Sequence, residues 1–259
     1  MPPLTQLLVQ FIFRLTFGMS LAMAVTPSRL VTSGYYRVHL WVLMGLNTLA
    51  TLALVSDRSY DHWSVVFGIA IGLAVVSYIG AIVWLYEQSE IGTLLLYGIA
   101  IASLIAAALA LKWPDSTTTM GYTLGLLDLA SGGWLLGVTM AAMLLGHWYL
   151  NTPTMELVPL KRLVILMALA IVLRTAVSAL GLYMNWSPSK PFDMELWIFI
   201  ALRWLSGILG TATMAVMTWN VLKIPNTQSA TGILYAGVIV SFIGELCSQL
   251  LSVDRLYPL

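Results

Sequence analysis

Charge is scarce in this sequence: 9% of its 259 residues are Asp, Glu, Lys or Arg, against about 25% in a soluble globular domain. A chain with so few charges cannot clothe a water-facing surface, which excludes an ordinary soluble protein. Cysteine is scarcer still. The single Cys247 excludes a disulfide within the chain and any metal or iron–sulfur site made of cysteines alone. There is no GxGxxG, no GxxxxGK[ST], no HExxH and no CxxC, so nucleotide and hydrolytic-metal chemistry lack motif support. A net charge of +1 without a long basic run argues against a nucleic-acid partner and against an electrostatic anchor on a membrane surface. The stretch Met1 to Gln10 carries no Lys or Arg. It therefore lacks the positive start of a cleavable signal peptide, and the first apolar run is expected to remain as a span.

What the chain has instead is apolar length. Hydrophobic residues make up 59% and the mean hydropathy is +0.90. Eight apolar segments of roughly 20 residues match the length needed to cross about 30 Å of hydrocarbon at 1.5 Å per residue. They are expected at about 4–25, 38–56, 64–86, 91–111, 121–150, 162–184, 194–221 and 229–252, each bounded by charges, Pro or Gly. The expected fold is all-α: a polytopic membrane protein of eight transmembrane helices in a single transmembrane domain, 1–259. The fifth segment exceeds the bilayer, so it should tilt, protrude or kink near Gly132 and Gly133. Connections one, five and seven carry Arg29, Arg37, Lys161, Arg162 and Lys223, against Arg58, Lys112, Lys190 and Arg255 on the other side. This majority favours the first set inside, with both termini outside, in a cytoplasmic membrane.

Two halves, 1–118 and 119–259, share landmarks. Thr26-Pro27 followed by Arg37 parallels Thr152-Pro153 followed by Arg162, Asn47-Thr48 parallels Arg174-Thr175, and LLLY ending at Tyr97 parallels GILY ending at Tyr235. Their common order suggests two four-helix halves in parallel orientation. Gly68-xxx-Gly72 and Gly207-xx-Gly210 are candidates for close helix approach. The segment KIPNTQSATG, 223–232, reads as a polar turn with Thr227 and Ser229 as candidate N-caps of the last span.

A charge inside a span costs a few kcal/mol or more, so each needs a partner or a task. Five qualify: Arg14, Asp128, Arg174, Arg203 and Glu245. Arg14 and Arg203 are expected about 12–15 Å below the outer edge, Asp128 and Glu245 in the same half and Arg174 near the midplane. Opposite charges at one depth can pair to fix helix packing. Alternatively a carboxylate relays protons or binds a quinone head while the guanidiniums stay charged.

A second group gathers near the inner face: His39 beside Tyr35-Tyr36-Arg37, and His147, Tyr149 and Asn151 in LLGHWYLNTP. Three readings stand for it. Two facing imidazoles ligate a b-type haem; an imidazole with a Tyr or Asn binds a quinone head; or these residues, with Trp41 and Trp148, form an interfacial aromatic belt.

Eight spans in two halves, with Gly244-Glu245 followed by Arg255 and Tyr257, resemble the membrane-anchor subunits of the polysulfide reductase and DMSO reductase type. The resemblance implies a quinone-interacting subunit that holds no cofactor of its own and passes electrons to a partner iron–sulfur protein and a catalytic subunit outside the bilayer. The chain lacks that family's His-Leu-Gly-Ser-Pro-like element after the second span, and LGHWYLNTP takes no role from it. The leading expectation is a subunit of a respiratory or photosynthetic electron-transfer complex, embedded in membrane lipid, bound to other subunits and not an enzyme alone. The alternatives are a secondary transporter rocking around Arg174 and Asp128, and a purely structural or assembly subunit.

Overall fold

The computed structural model describes residues 4–60, 62–111, 113, 117–152, 154–186, 193–224, 226–252 and 257–258. Among them there is no strand. The elements are α1 (Leu4–Ala24), α2 (Ser33–Ser56), α3 (Trp63–Leu85), α4 (Ser89–Leu109), α5 (Thr119–Asn151), α6 (Val158–Asn185), α7 (Met194–Leu202), a π-helical stretch (Arg203–Gly210), α8 (Thr211–Lys223) and α9 (Thr227–Ser252). The segments α7, π stretch and α8 form one continuous span, Met194–Lys223, so among the described residues eight helices are long and apolar enough to cross a membrane. The chain is a polytopic, all-helical membrane protein. Lys112, Pro153, Lys190 and Arg255 lie outside the described residues.

The distribution of side chains is that of a protein dissolved in lipid. Leu52, Leu94, Ile101, Leu169, Val172 and Ile239 point outward, while Ser20, Ser77, Ser103 and Thr139 are fully enclosed. Each of these hydroxyls donates to a carbonyl one turn back in its own helix, as Ser20 does to Thr16 O at 2.6 Å and Thr139 to Leu135 O at 2.7 Å. With no water in hydrocarbon, an intrahelical acceptor is the partner always within reach.

The packing follows a repeated scheme. In the first half α1 touches α2 and α4, and α3 touches α2 and α4, closing a ring of four. In the second half α5 touches α6 and α9, and the seventh span touches the same two, closing a second ring. The rings join chiefly where α1 lies along α5, with lesser contacts of α1 to α9 and of α4 to α5. Consequently α1 and α5 are buried along most of their length and the other spans along half or less.

Glycine makes that central contact possible. A Cβ on Gly18 would collide with the backbone of Gly133, and one on Gly137 with the backbone of Gly18. Gly133 and Gly137 of α5 therefore serve a backbone-to-backbone crossing. The helix is assigned continuously from Thr119 to Asn151, through Gly132 and Gly133, and its 33 residues are more than the bilayer core requires. Gly207 and Gly244 form a second close crossing, between the π stretch and α9. Gly68 and Gly72, expected at a helix contact, have nothing within 4 Å of where a Cβ would stand; the spacing is shared, the neighbour is not. The N-cap of the last span also differs from expectation. Asn226 Oδ1 accepts from Ser229 N at 3.0 Å, the offset of an N-cap to N3 bond, so Thr227 and Ser229 sit inside the helix.

Candidate functional site

The five in-span ionisable residues, contributed by five different spans, converge on one point. Arg14 on α1, Asp128 on α5, Arg174 on α6, Arg203 at the head of the π stretch and Glu245 on α9 are each 2–5% exposed. Counted along each helix at 1.5 Å per residue, all five lie about 10–17 Å from the face where α1 begins. Arg174 thus joins the others at their level.

The bonding is dense. Arg14 Nη1 donates to Asp128 Oδ2 at 3.1 Å and to Glu245 Oε1 at 2.6 Å. Arg174 Nη1 donates to Asp128 Oδ1 at 2.5 Å and to the Asp128 carbonyl at 2.9 Å. Its Nη2 donates to Glu245 Oε2 at 3.1 Å and Ser248 Oγ at 2.8 Å. Arg203 Nη2 reaches Ser178 Oγ at 2.7 Å and, more weakly, Asp128 Oδ1 at 3.4 Å. All four carboxylate oxygens are therefore shared by guanidiniums. On the cationic side, Arg203 Nη1 and Arg14 Nε have no hydrogen-bond partner among the described residues.

Space is set by a glycine. A Cβ at Gly132 would stand 2.6 Å from Glu245 Oε2 and 3.1 Å from the Arg174 guanidinium carbon, so only glycine lets the α6 and α9 side chains meet over α5. Beside the cluster is a cavity of about 20 Å³, measured as room for the centre of a water molecule, lined by Gly132, Arg174, Arg203, Gly207, Ser241 and Glu245 among others. That is room for one water or a small ion. A quinone ring does not fit there.

The opposite end of the bundle holds the histidines. His39 is 4% exposed, and its Nδ1 donates to Tyr35 O at 2.6 Å; a carbonyl only accepts, so the neutral ring keeps Nε2 as its acceptor. Its ring packs on Tyr35 at 4.4 Å and lies 6.3 Å from Trp148. Tyr35 donates to Ala141 O on α5 at 3.2 Å, and Trp148 Nε1 donates to Thr32 Oγ1 at 2.9 Å. Tyr149 is buried too and donates to Glu156 O. The Tyr35 and Trp148 bonds clamp the start of α2 to α5, Tyr149 ties α5 to the connection before α6, and Trp41 faces outward.

His147 differs from His39: it is exposed, and its Nδ1 lies 3.3 Å from the Tyr235 hydroxyl of α9. Asn151, one turn further along α5 and on the same helix face, is exposed as well. Tyr235 carries no sign of this role along the chain, because only packing of α9 on α5 sets it beside His147. Groups of three or more His, Cys, Asp or Glu able to hold a metal are absent among the described residues.

Comparison with protein-family models, with curated proteins and with solved structures finds no match. Fold and site define the chain by class alone, as an eight-span helical membrane protein with a buried five-residue charge cluster.

Proposed function

We propose that this protein is an integral membrane subunit of an electron-transfer complex that exchanges quinone and quinol with the bilayer beside His147. The observation that carries the reading is the exposed His147–Tyr235 pair with Asn151 one turn away. An imidazole, a phenol and a carboxamide together supply donors and acceptors suited to two quinone carbonyls, at the wall of a helical bundle where an apolar ligand arrives through lipid. Bound quinone supplies the carrier of two electrons and two protons. The residues of this chain orient its head by hydrogen bonds.

The arrangement favours such a hydrogen-bonded ligand over a haem iron shared by His39 and His147, because one ring is enclosed against Tyr35 and the other faces outward with its own partner. The charge cluster, about 28 Å away along α5 counted from Asp128 to His147, is read as a proton-exchange point in which Glu245 borders the cavity. Iron–sulfur and catalytic partners supply the redox chemistry that a chain with so little extramembrane length does not hold. The loop cations favour a cytoplasmic membrane with the histidine end inside and both termini outside.

His147→Leu and Tyr235→Phe each remove one bond to the quinone head and are expected to lower quinone turnover of the intact complex about tenfold, the factor of one ordinary hydrogen bond. Turnover at the wild-type level in both variants would sink the reading.

The π stretch supports a second reading, a secondary transporter. An eight-residue π segment inside a span is the kind of irregularity found at functional sites, and it begins at Arg203 against the cavity. α3, its counterpart in the first half, is unbroken, whereas paired repeats commonly interrupt both copies.

A further inference from the structure

We propose that the core of the second helix ring binds a small monovalent anion of the halide class in the cavity beside Arg203. The argument begins with a charge count. Three guanidiniums stay charged at any physiological pH, and two carboxylates supply at most two negative charges, so the cluster of described residues holds at least one unmatched positive charge. That charge is enclosed, at 3% exposure for Arg14 and Arg203 and 4% for Arg174. Buried charges in apolar surroundings are paired or bound to an ion.

The unmatched charge has a location. Both oxygens of Asp128 and both of Glu245 already accept from guanidiniums, while Arg203 Nη1 has no hydrogen-bond partner among the described residues. Arg203 lines the cavity, together with Arg174 and Ser241. Glu245 also lines it, but its oxygens are covered by Arg14 Nη1 at 2.6 Å and Arg174 Nη2 at 3.1 Å, so the field in the cavity is that of the net cationic cluster. The volume admits one water-sized particle. Phosphate, sulfate and carboxylate ligands are too large, which selects a single-atom anion. The inference does not rest on the quinone site at the opposite end of the bundle, although it shares its cavity with the proposed proton-exchange point, and it is tested on the isolated chain, where no quinone turnover is read.

The probe is the halide itself. Thermal unfolding of the purified chain in detergent is followed at constant ionic strength while sodium gluconate is replaced by sodium chloride or sodium bromide. The expected result is a saturable rise of the midpoint with either halide and none with gluconate. Arg203→Gln removes the open donor, and Ser241→Val fills the cavity while leaving the five charges in place; both abolish the halide response. Glu245→Gln raises the net charge and shifts the half-saturating halide concentration several-fold lower. Equal midpoints in gluconate and chloride mean that the cavity holds water only and overturn the proposal. A halide response retained in Ser241→Val places the ion elsewhere and overturns it equally.

Discussion

Arg174 makes more of the cluster's bonds than any other side chain: both carboxylates, a backbone carbonyl and two serine hydroxyls accept from its two terminal nitrogens. Replacing it with glutamine leaves two carboxylates facing Arg14 and the distant Nη2 of Arg203, in a site with almost no solvent. Breaking a buried ion pair by removing one partner costs about 3–5 kcal/mol, and Arg174→Gln is expected to lower the unfolding free energy by about that much, measured by steric trapping in bicelles. Ser131→Ala, which loses a 3.4 Å contact from Arg174 and a 3.2 Å bond to the Asp128 carbonyl in its own helix, should change it by no more than about 1 kcal/mol. A similar loss in both variants would contradict the account. At this scale the identities of the charged residues were legible, because each stands alone in an apolar run. Their meeting was not, since depth along a helix says nothing about the direction in which a side chain points.

At the scale of the element, helix existence followed from apolar length and helix faces did not. The expected start of the second span, near 38, falls five residues inside the observed one at Ser33, because Tyr35 and Tyr36 turn inward and extend the helix through a polar stretch. Glycine spacing misled in a more informative way. Gly68 and Gly72 show the expected interval and face open space, whereas Gly18 and Gly137 stand backbone to backbone across α1 and α5. Gly137→Val is expected to prevent the two helices from meeting and to abolish recovery of folded, monodisperse protein on size exclusion. Gly68→Val, with nothing within 4 Å, should be recovered like the wild type. The π stretch was equally hidden: nothing in RWLSGILG distinguishes one register of backbone bonding from another until Gly207 has closed on Gly244.

The whole molecule is two four-membered rings sharing one wall. Arg14 is the only cluster member from the first ring, and its bonds to Asp128 and Glu245 cross into the second. The α1–α5 crossing and this ionic bridge together should hold the halves without a covalent link. Residues 1–116 and 117–259 expressed as two separate chains are expected to copurify, and Gly137→Val in the second chain should abolish it. Copurification undiminished by that change would show that the halves associate by some other surface.

Membrane character, the number of spans and the ionisable residues that lipid forbids to stand alone were legible in the amino-acid order, because these depend on composition and on lengths measured along the chain. Tertiary structure decided which of them touch. It gathered five charges from five spans into one net cationic centre, put Tyr235 beside His147, enclosed His39 behind Tyr35 and Trp148, and chose Gly18, Gly137, Gly207 and Gly244 as the contact points. The physical reason is rotation: nearly every face of these helices is apolar enough for lipid, so hydropathy does not orient them about their axes, and only the joint satisfaction of buried charges and close backbone packing does.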